Sequence, residues 1–396
     1  MSLLQKIKSQ SDEIFHQVIA WRRHLHAHPE LSYEECETSK YVANILENMG
    51  LEVEKGIAGT GMVAYINGKN PDKKTIALRA DMDALPIVEK NDVDYKSKNE
   101  GVMHACGHDV HTSSLLGVTQ LLQSTKDDWE GRVKLIFQPG EERLPGGASL
   151  MIKEGVLENP RPKSIIGQHV MPLIDAGQVG FREGMYMASA DEVYITVKGK
   201  GGHAALPESA IDPVLIASHI IVALQQIVSR NCSPKVPAVL SFGKVEALGA
   251  TNIIPNEVKI EGTFRTMNET WRKAAHEKIK QIANSMAQAM GATCECEVRV
   301  GYPYLENEVA LTRKMKNAAK DYLGEENVLD LDLWMAAEDF SYYSQEIDAC
   351  FYRLGIRNED KGINSGLHTP TFDIDESALK VGPGLMAWLA INELQS

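Results

Sequence analysis

The chain has 396 residues, enough for two domains or for one large domain carrying an insertion. Hydrophobic residues at 43% and charged residues at 24% exclude a disordered or fibrous protein. Asp and Glu outnumber Lys and Arg by 54 to 41, and a net charge of -13 repels a phosphate backbone, so nucleic acid is not an expected partner.

The opening residues MSLLQKIKSQSDEIF lack the apolar segment and small-residue cleavage site of a secretory signal. No apolar run approaches the roughly 20 residues of a membrane helix, and the expected location is the cytoplasm. Ser11 is a candidate cap for a helix whose apolar positions Ile14, Val18, Trp21 and Leu25 recur at helical spacing, with Pro29 ending it. A second helix follows near 34–49. The runs TIALRAD (75–81), RVKLIFQP (132–139) and SIIGQHV (164–170) read as buried strands, and their alternation with helices implies an α/β layer fold. From about residue 190 the pattern becomes strand 191–199, helix 212–230, strands near 238–248 and 256–266, helix 269–290 and strand 293–300. That βαββαβ order is ferredoxin-like. Helices and strands after 308 resume the first style, so the expected division is a discontinuous domain, 1–187 with 301–396, interrupted by an inserted domain, 188–300. The six cysteines form no CxxC pair, as in a compartment where thiols stay reduced, and Cys294 and Cys296 share one strand face as packing groups.

Ligands in α/β proteins gather beyond the carboxyl ends of strands. Collected there are Asp81-Met82-Asp83, the stretch MHACGHDVH (103–111), Glu141-Glu142 and His169, with His368 near the C-terminus. Each alone has a bland explanation: a solvated acidic loop, a turn cap, a satisfied histidine. Together a Cys thiolate, imidazoles and a carboxylate suit a transition metal such as zinc, and one further carboxylate suits a general base. Two other readings stay open: a Cys106 nucleophile with His108 or His111 as its base, and a non-catalytic binding protein with a structural zinc.

The motifs LRADMDALP, MHACGHDVH, FQPGEE, GQHV, GKGGHAALP, TNIIPNEV, GTFR, AAEDF and LHTP stand in the order and approximate spacing of the M20 metallopeptidase family, subfamily D amidohydrolases. The chain resembles that group, which includes aminoacylases, hippurate hydrolases and auxin-conjugate hydrolases, over nearly its whole length. The resemblance implies a zinc-peptidase-like three-layer αβα catalytic domain with an inserted ferredoxin-like α+β lid and dimerisation domain. It implies Cys106, His108, Glu142, His169 and His368 as ligands of up to two divalent metals, zinc first, with manganese, cobalt or nickel also fitting. Glu141 matches the general base. Asp83 matches an orienting carboxylate; Asp81 stands where related metallopeptidases have a ligating His, and both aspartates are expected behind the ligands. His203, Asn252 and Arg265 on the inserted domain match substrate-binding groups, with His203 also assisting catalysis at the carbonyl oxygen.

The implied reaction is hydrolysis of the amide of an N-acyl amino acid by metal-activated water, completed by closure of the inserted domain, in a homodimer. A metal-dependent dipeptidase is the nearest rival. Gly140, where many family members have Ala, and Ala336-Ala337, where Gly is frequent, are departures that bear on pocket shape.

Overall fold

The first helix begins earlier than its apolar spacing suggests. In the computed structural model, which describes residues 1–395, α1 spans Leu3–Ala27 with Ser2 as its cap. Ser2 and Gln5 form a reciprocal capping box, each side chain accepting the other's backbone N–H at 3.2 and 3.0 Å. Ser11, expected as the cap, lies inside the helix. It is buried, and its hydroxyl donates to the Lys380 carbonyl at 3.1 Å. A Ser followed by an apolar repeat fits a buried helical position as well as a cap, and the capping box at the true start decided the outcome.

The chain then runs α2 (Cys36–Asn48), β1 (Val53–Ile57), β2 (Gly61–Asn67), β3 (Thr75–Asp81), α3 (His108–Ser124), β4 (Arg132–Gln138), α4 (Gly147–Lys153), β5 (Ser164–Asp175), β6 (Val179–Phe181) and β7 (Gly184–Met187). Next come β8 (Asp191–Lys198), β9 (Gly202–His203), α5 (Pro213–Leu224), β10 (Ala238–Glu246), β11 (Ile253–Ile254), β12 (Glu257–Thr266), α6 (Glu269–Ala289) and β13 (Thr293–Val300). The last stretch holds β14 (Leu305–Asn307), α7 (Val309–Leu323), β15 (Val328–Asp330), α8 (Ser341–Ser344), β16 (Asp348–Arg357) and α9 (Gly382–Leu394).

Two units emerge. The first comprises Met1–Tyr186, Glu306–Leu333 and the residues from Asp339 onward. Its eight strands lie in the order β1-β2-β4-β3-β5-β16-β6-β15. The sheet is mixed: β3 runs parallel to β4 and β5, and β16 parallel to β5, while β1, β2 and β6 enter antiparallel pairs. Side chains alternate across a sheet, so Ile76, Leu78 and Ala80 of β3 point into the main core while Arg79 points to the opposite face. The core is filled from α1, α3, α7 and α9 by Val18, Leu115, Leu122, Met315, Leu385 and Leu389. All seven residues of β3 are buried, as in a strand with both faces covered.

The second unit comprises Met187–Leu305 and Trp334–Glu338. Its sheet, in the order β10-β12-β8-β13, is antiparallel throughout, and with α5 and α6 it forms the expected ferredoxin-like arrangement. Asp212 and Asn268 cap α5 and α6 by accepting backbone N–H groups of the first turn. Val193, Ile195, Val258, Ile260, Ile216, Ile220 and Ile279 build its core, and Cys294 and Cys296 lean against it from β13. At the base of this unit Asp191 is buried. It accepts from Arg272 Nε at 2.9 Å and His276 Nε2 at 2.6 Å, and the Gly301 N–H points to it at 3.2 Å.

One segment corrects the sequence reading on apolar runs. The helical stretch Pro213–Asn231 is, by length and composition, apolar enough to cross a membrane. Its Ile216, Ile220, Leu224 and Ile227 are committed to the core of the second unit.

Candidate metal centre

Four chain segments of the first unit converge. The exit of β3 carries Asp81 and Asp83; the turn before α3 carries Cys106, and His108 opens that helix; the loop after β4 carries Glu141 and Glu142; β5 carries His169. A fifth, the loop between β16 and α9, brings His368. Gly107 makes the turn into α3 with φ at 83°, and a Cβ there would lie 2.5 Å from Val170 Cγ2, so both backbone and space call for glycine. His368 adopts φ at 60°, a strained conformation for a residue with a side chain, and its backbone N–H is held by the Ala105 carbonyl at 2.8 Å.

The donor atoms fall into overlapping groups, each within 4.8 Å: Cys106 with His108 and His169, Cys106 with Glu142 and His368, and His108 with Glu141 and Glu142. Cys106 Sγ is 3.4 Å from His169 Nε2 and 3.3 Å from His368 Nε2. His368 Nε2 is 3.1 Å from Glu142 Oε1. Sulfur and nitrogen ligands at about 2.3 and 2.1 Å from a tetrahedral zinc are themselves about 3.6 Å apart, close to these separations. His108 Nε2 is buried and has no hydrogen-bond partner among the described residues, an orphan whose obvious complement is a cation. The donor set therefore fits a divalent metal.

Behind the donors, the His108 and His169 rings are fixed through their other nitrogen. His108 Nδ1 donates to the Asp83 carbonyl at 2.8 Å and approaches Asp83 Oδ1 at 3.1 Å. His169 Nδ1 donates to the Val170 carbonyl at 2.7 Å. Both Nε2 atoms are thereby turned toward Cys106 and the Glu pair, as ligating histidines require. His111 differs: Nδ1 donates to Asp81 Oδ1 at 2.6 Å and Nε2 accepts the Val170 N–H at 2.9 Å. Both nitrogens are spent, so His111 is a strut that fixes the backbone beside His169. Asp81 also accepts from Arg79 Nη1 at 2.6 Å, and Arg79 Nη2 reaches Asp339 Oδ1 at 2.7 Å. Asp83 Oδ2 accepts from the Ser32 hydroxyl at 2.6 Å and the Glu142 N–H at 2.9 Å.

The electrostatics tell the same story. Burial, then Glu142, Glu141 and Asp81, push the Cys106 thiol well above its ordinary value. Burial works against a charged His108, yet Asp81, Asp83 and Glu142 raise it to about 10. Burial and Arg353 hold His169 well below the usual imidazole range, leaving Nε2 free of a proton. A pocket of carboxylates that favours positive charge on one ring is suited to a divalent cation.

His203, Asn252 and Arg265 belong to the second unit. The strands β9 and β11 pair His203 with Ile253, and the Asn252 carbonyl accepts the Ala204 N–H at 3.1 Å, so His203 and Asn252 sit together. His203 Nδ1 accepts the Ala205 N–H at 3.0 Å, which places the ring proton on Nε2 as a donor. Arg265 is half-buried, donates to the Thr263 hydroxyl, and has no salt-bridge partner among the described residues.

Residues with no role in the sequence reading complete the picture: Arg79, Gln138, Ser32, Tyr33 and Glu35. Arg79 carried a signal, being a charged residue inside an otherwise apolar strand, which must find a buried partner.

A centre of this kind on a mixed α/β sheet defines a metal-dependent hydrolase. The model of peptidase family M20/M25/M40 matches residues 77–392, and the chain belongs to that family. It is 40% identical over 394 residues to thermostable carboxypeptidase 2 of Saccharolobus solfataricus, covering 99% of each chain. It is 39% identical over 363 residues to an N-acetyl-L-cysteine deacetylase of Bacillus subtilis, covering 92% of this chain and 85% of the relative. The crystal structure of the Bacillus subtilis YXEP protein, described as a dinuclear metal binding peptidase from the M20 family, superposes with a TM-score of 0.83 at 34% identity, covering 97% of this chain and 99% of that one.

Proposed function

We propose that the enzyme hydrolyses the amide bond of N-acyl amino acids, releasing a carboxylic acid and a free amino acid. The observation that carries this reading is the sharing of Cys106 between two donor triplets, with Glu141 lying against His108 outside both. Cys106, His108, Glu142, His169 and His368 would hold up to two divalent ions, with zinc first because of the thiolate and manganese, cobalt or nickel as alternatives. Such ions supply Lewis acidity and a water of lowered pKa. Glu141, buried at the edge of the cluster, takes a proton from the attacking water and returns it to the leaving amine. Asp83 fixes the His108 ring and the Glu142 backbone. Arg265, a half-buried guanidinium free of carboxylate partners among the described residues, suits the substrate's α-carboxylate. Asn252 and the Nε2–H of His203 supply further donors for the carboxylate or the carbonyl oxygen. The Bacillus subtilis relative named as a deacetylase supports an N-acyl substrate.

We further propose a cytoplasmic homodimer, with 188–300 as the substrate-binding and dimerisation domain and 1–187 with 301–396 as the catalytic domain. All six cysteines are free thiols, which suits a reducing compartment. The sheet edge at β10 and the exposed Val214, Leu215 and Val222 of α5 offer a surface for a second copy.

Metal-stripped protein resupplied with zinc, manganese, cobalt or nickel should release amino acid from acetyl-, benzoyl- or indoleacetyl-amino acids. Glu141→Gln should abolish turnover while retaining metal. Cleavage of dipeptides alone would overturn the substrate assignment in favour of a dipeptidase, and near wild-type turnover by Glu141→Gln would remove Glu141 as the base.

A further inference from the structure

The loop that carries Glu141 and Glu142 runs from Pro139 to Gly146 between β4 and α4 and has little regular structure of its own. A base must nevertheless be held within a fraction of an ångström, since a displacement of about 1 Å can cost on the order of 100-fold in rate. The loop is gripped from outside by three side chains of one short segment. The Ser32 hydroxyl donates to Asp83 Oδ2, the oxygen that also accepts the Glu142 N–H. The Tyr33 hydroxyl donates to the Arg143 carbonyl at 2.8 Å and accepts the Gly146 N–H at 3.1 Å, an N–H it shares with the Arg143 carbonyl at 3.0 Å. Glu35 Oε1 accepts the Gly140 N–H at 2.8 Å and the Tyr33 N–H at 2.9 Å, while its other oxygen takes the Thr60 hydroxyl at 2.6 Å.

Tyr33 is the centre of this grip, and its geometry is unusual. Its backbone has φ at 69°, and its ring lies flat against Gly140. A Cβ on Gly140 would sit 2.3 Å from Tyr33 Cε1 and 2.6 Å from Cζ, well inside contact distance. Gly140 itself has φ at 60°. The missing Cβ of Gly140 is thus the space the tyrosine ring occupies.

We propose that Ser32–Glu35 is a strap that positions the Glu141–Glu142 loop, with Tyr33 and Gly140 as a matched pair: the ring takes the place of a methyl, and its hydroxyl closes the far end of the loop. Tyr33 is a positioning residue; it touches no metal donor. The inference rests on the proposed role of Glu141 for its kinetic consequence, and on the hydrogen bonds alone for its structural one.

Four variants test it: Tyr33→Phe, Tyr33→Ala, Gly140→Ala and the double variant Tyr33→Ala/Gly140→Ala. In metal-loaded Tyr33→Phe, kcat should fall about tenfold with KM, bound metal and Tm unchanged, and the Gly146 amide, left with one of its two acceptors, should exchange with deuterium measurably faster. Gly140→Ala should cost roughly ten times more in kcat with the ring present than in the Tyr33→Ala background. Wild-type kcat and wild-type Gly146 exchange in Tyr33→Phe, or equal costs of Gly140→Ala in both backgrounds, would overturn the strap. A parallel loss of kcat, metal and Tm in Tyr33→Phe would also overturn it, because that is the signature of a merely structural residue. Should the wild-type protein hydrolyse no N-acyl amino acid, the substrate reading fails on its own, and Gly146 exchange in Tyr33→Phe still decides for or against the strap.

Discussion

Replacing Arg79 by Met keeps the length of the side chain and removes its charge. The guanidinium is fully buried, with Nη1 on Asp81, Nη2 on Asp339, Nε donating to Gln138 Oε1 at 2.9 Å, and the Phe340 ring beneath it. Removing one partner of a buried ion pair costs about 3–5 kcal/mol. Here the remaining hydrogen bonds moderate the loss: Asp81 keeps His111, and Asp339 keeps Gln138 Nε2 at 2.8 Å and the Ala148 N–H at 2.9 Å. The lower end, about 3 kcal/mol, is therefore expected, a large part of a total stability of about 5–15 kcal/mol. Urea unfolding followed by intrinsic fluorescence, to which Trp21, Trp129 and Trp388 of the first unit contribute along with Trp271 and Trp334 of the second, reads this quantity once the transitions of the two units are fitted separately. Arg79→Met/Asp339→Asn should recover about 1 kcal/mol or more, since a neutral amide in that position needs no cation. A single variant within about 1 kcal/mol of wild type, or a double variant less stable than the single, would refute this account of the network.

Three further outcomes follow from the same structure. Cys106→Ser should weaken zinc binding on the order of 100-fold in competition with a chromogenic chelator, and unchanged affinity would remove the thiolate from the ligand set. Gly107→Ala should destabilise by about 2–4 kcal/mol, from left-handed backbone strain plus the overlap with Val170, and a thermal shift equivalent to less than about 1 kcal/mol would contradict both terms. Burial pushes the Asp191 carboxyl up, but His276 and Arg272 outweigh it and hold it below the usual range. Its contribution is then complete above the unfolded value of about 3.9 and is lost as pH falls through the folded one. Asp191→Asn should be destabilised at pH 7 by an amount that shrinks once pH drops below about 4, and a deficit that stayed constant would exclude a charge-based role.

The elements were legible where periodicity and motif agreed. The strands at 75 and 132 and the four strands of the inserted segment were read close to their observed limits because turn residues bound them, whereas the strand at 164, expected to end at 170, runs on to Asp175. The start of α1 was misread at Ser11, where local chemistry fits two positions equally well. The donor residues were legible because strand exits and family motifs converge on them. The division of labour among the histidines was not. Nothing in HACGHDVH tells that His108 keeps a nitrogen free while His111 spends both, since that depends on Asp83, Asp81 and the Val170 amide, none of which is a neighbour in sequence. The strap was hidden for a similar reason: Tyr33 and Gly140 are ordinary residues until the fold lays one on the other.

The position of β16 has a consequence for synthesis. The strand bearing His169 finds one of its two sheet neighbours only when Asp348–Arg357 has been made, roughly 170 residues later. At about 5–20 residues per second the nascent chain carries β5 as an open edge for on the order of 10–30 s. The inserted segment has a sheet and core of its own, and all of its residues precede Asp348 in sequence. The inserted unit can therefore complete its core before its host does, while the first sheet is still open along an edge bearing Ile165, Ile166 and Val170.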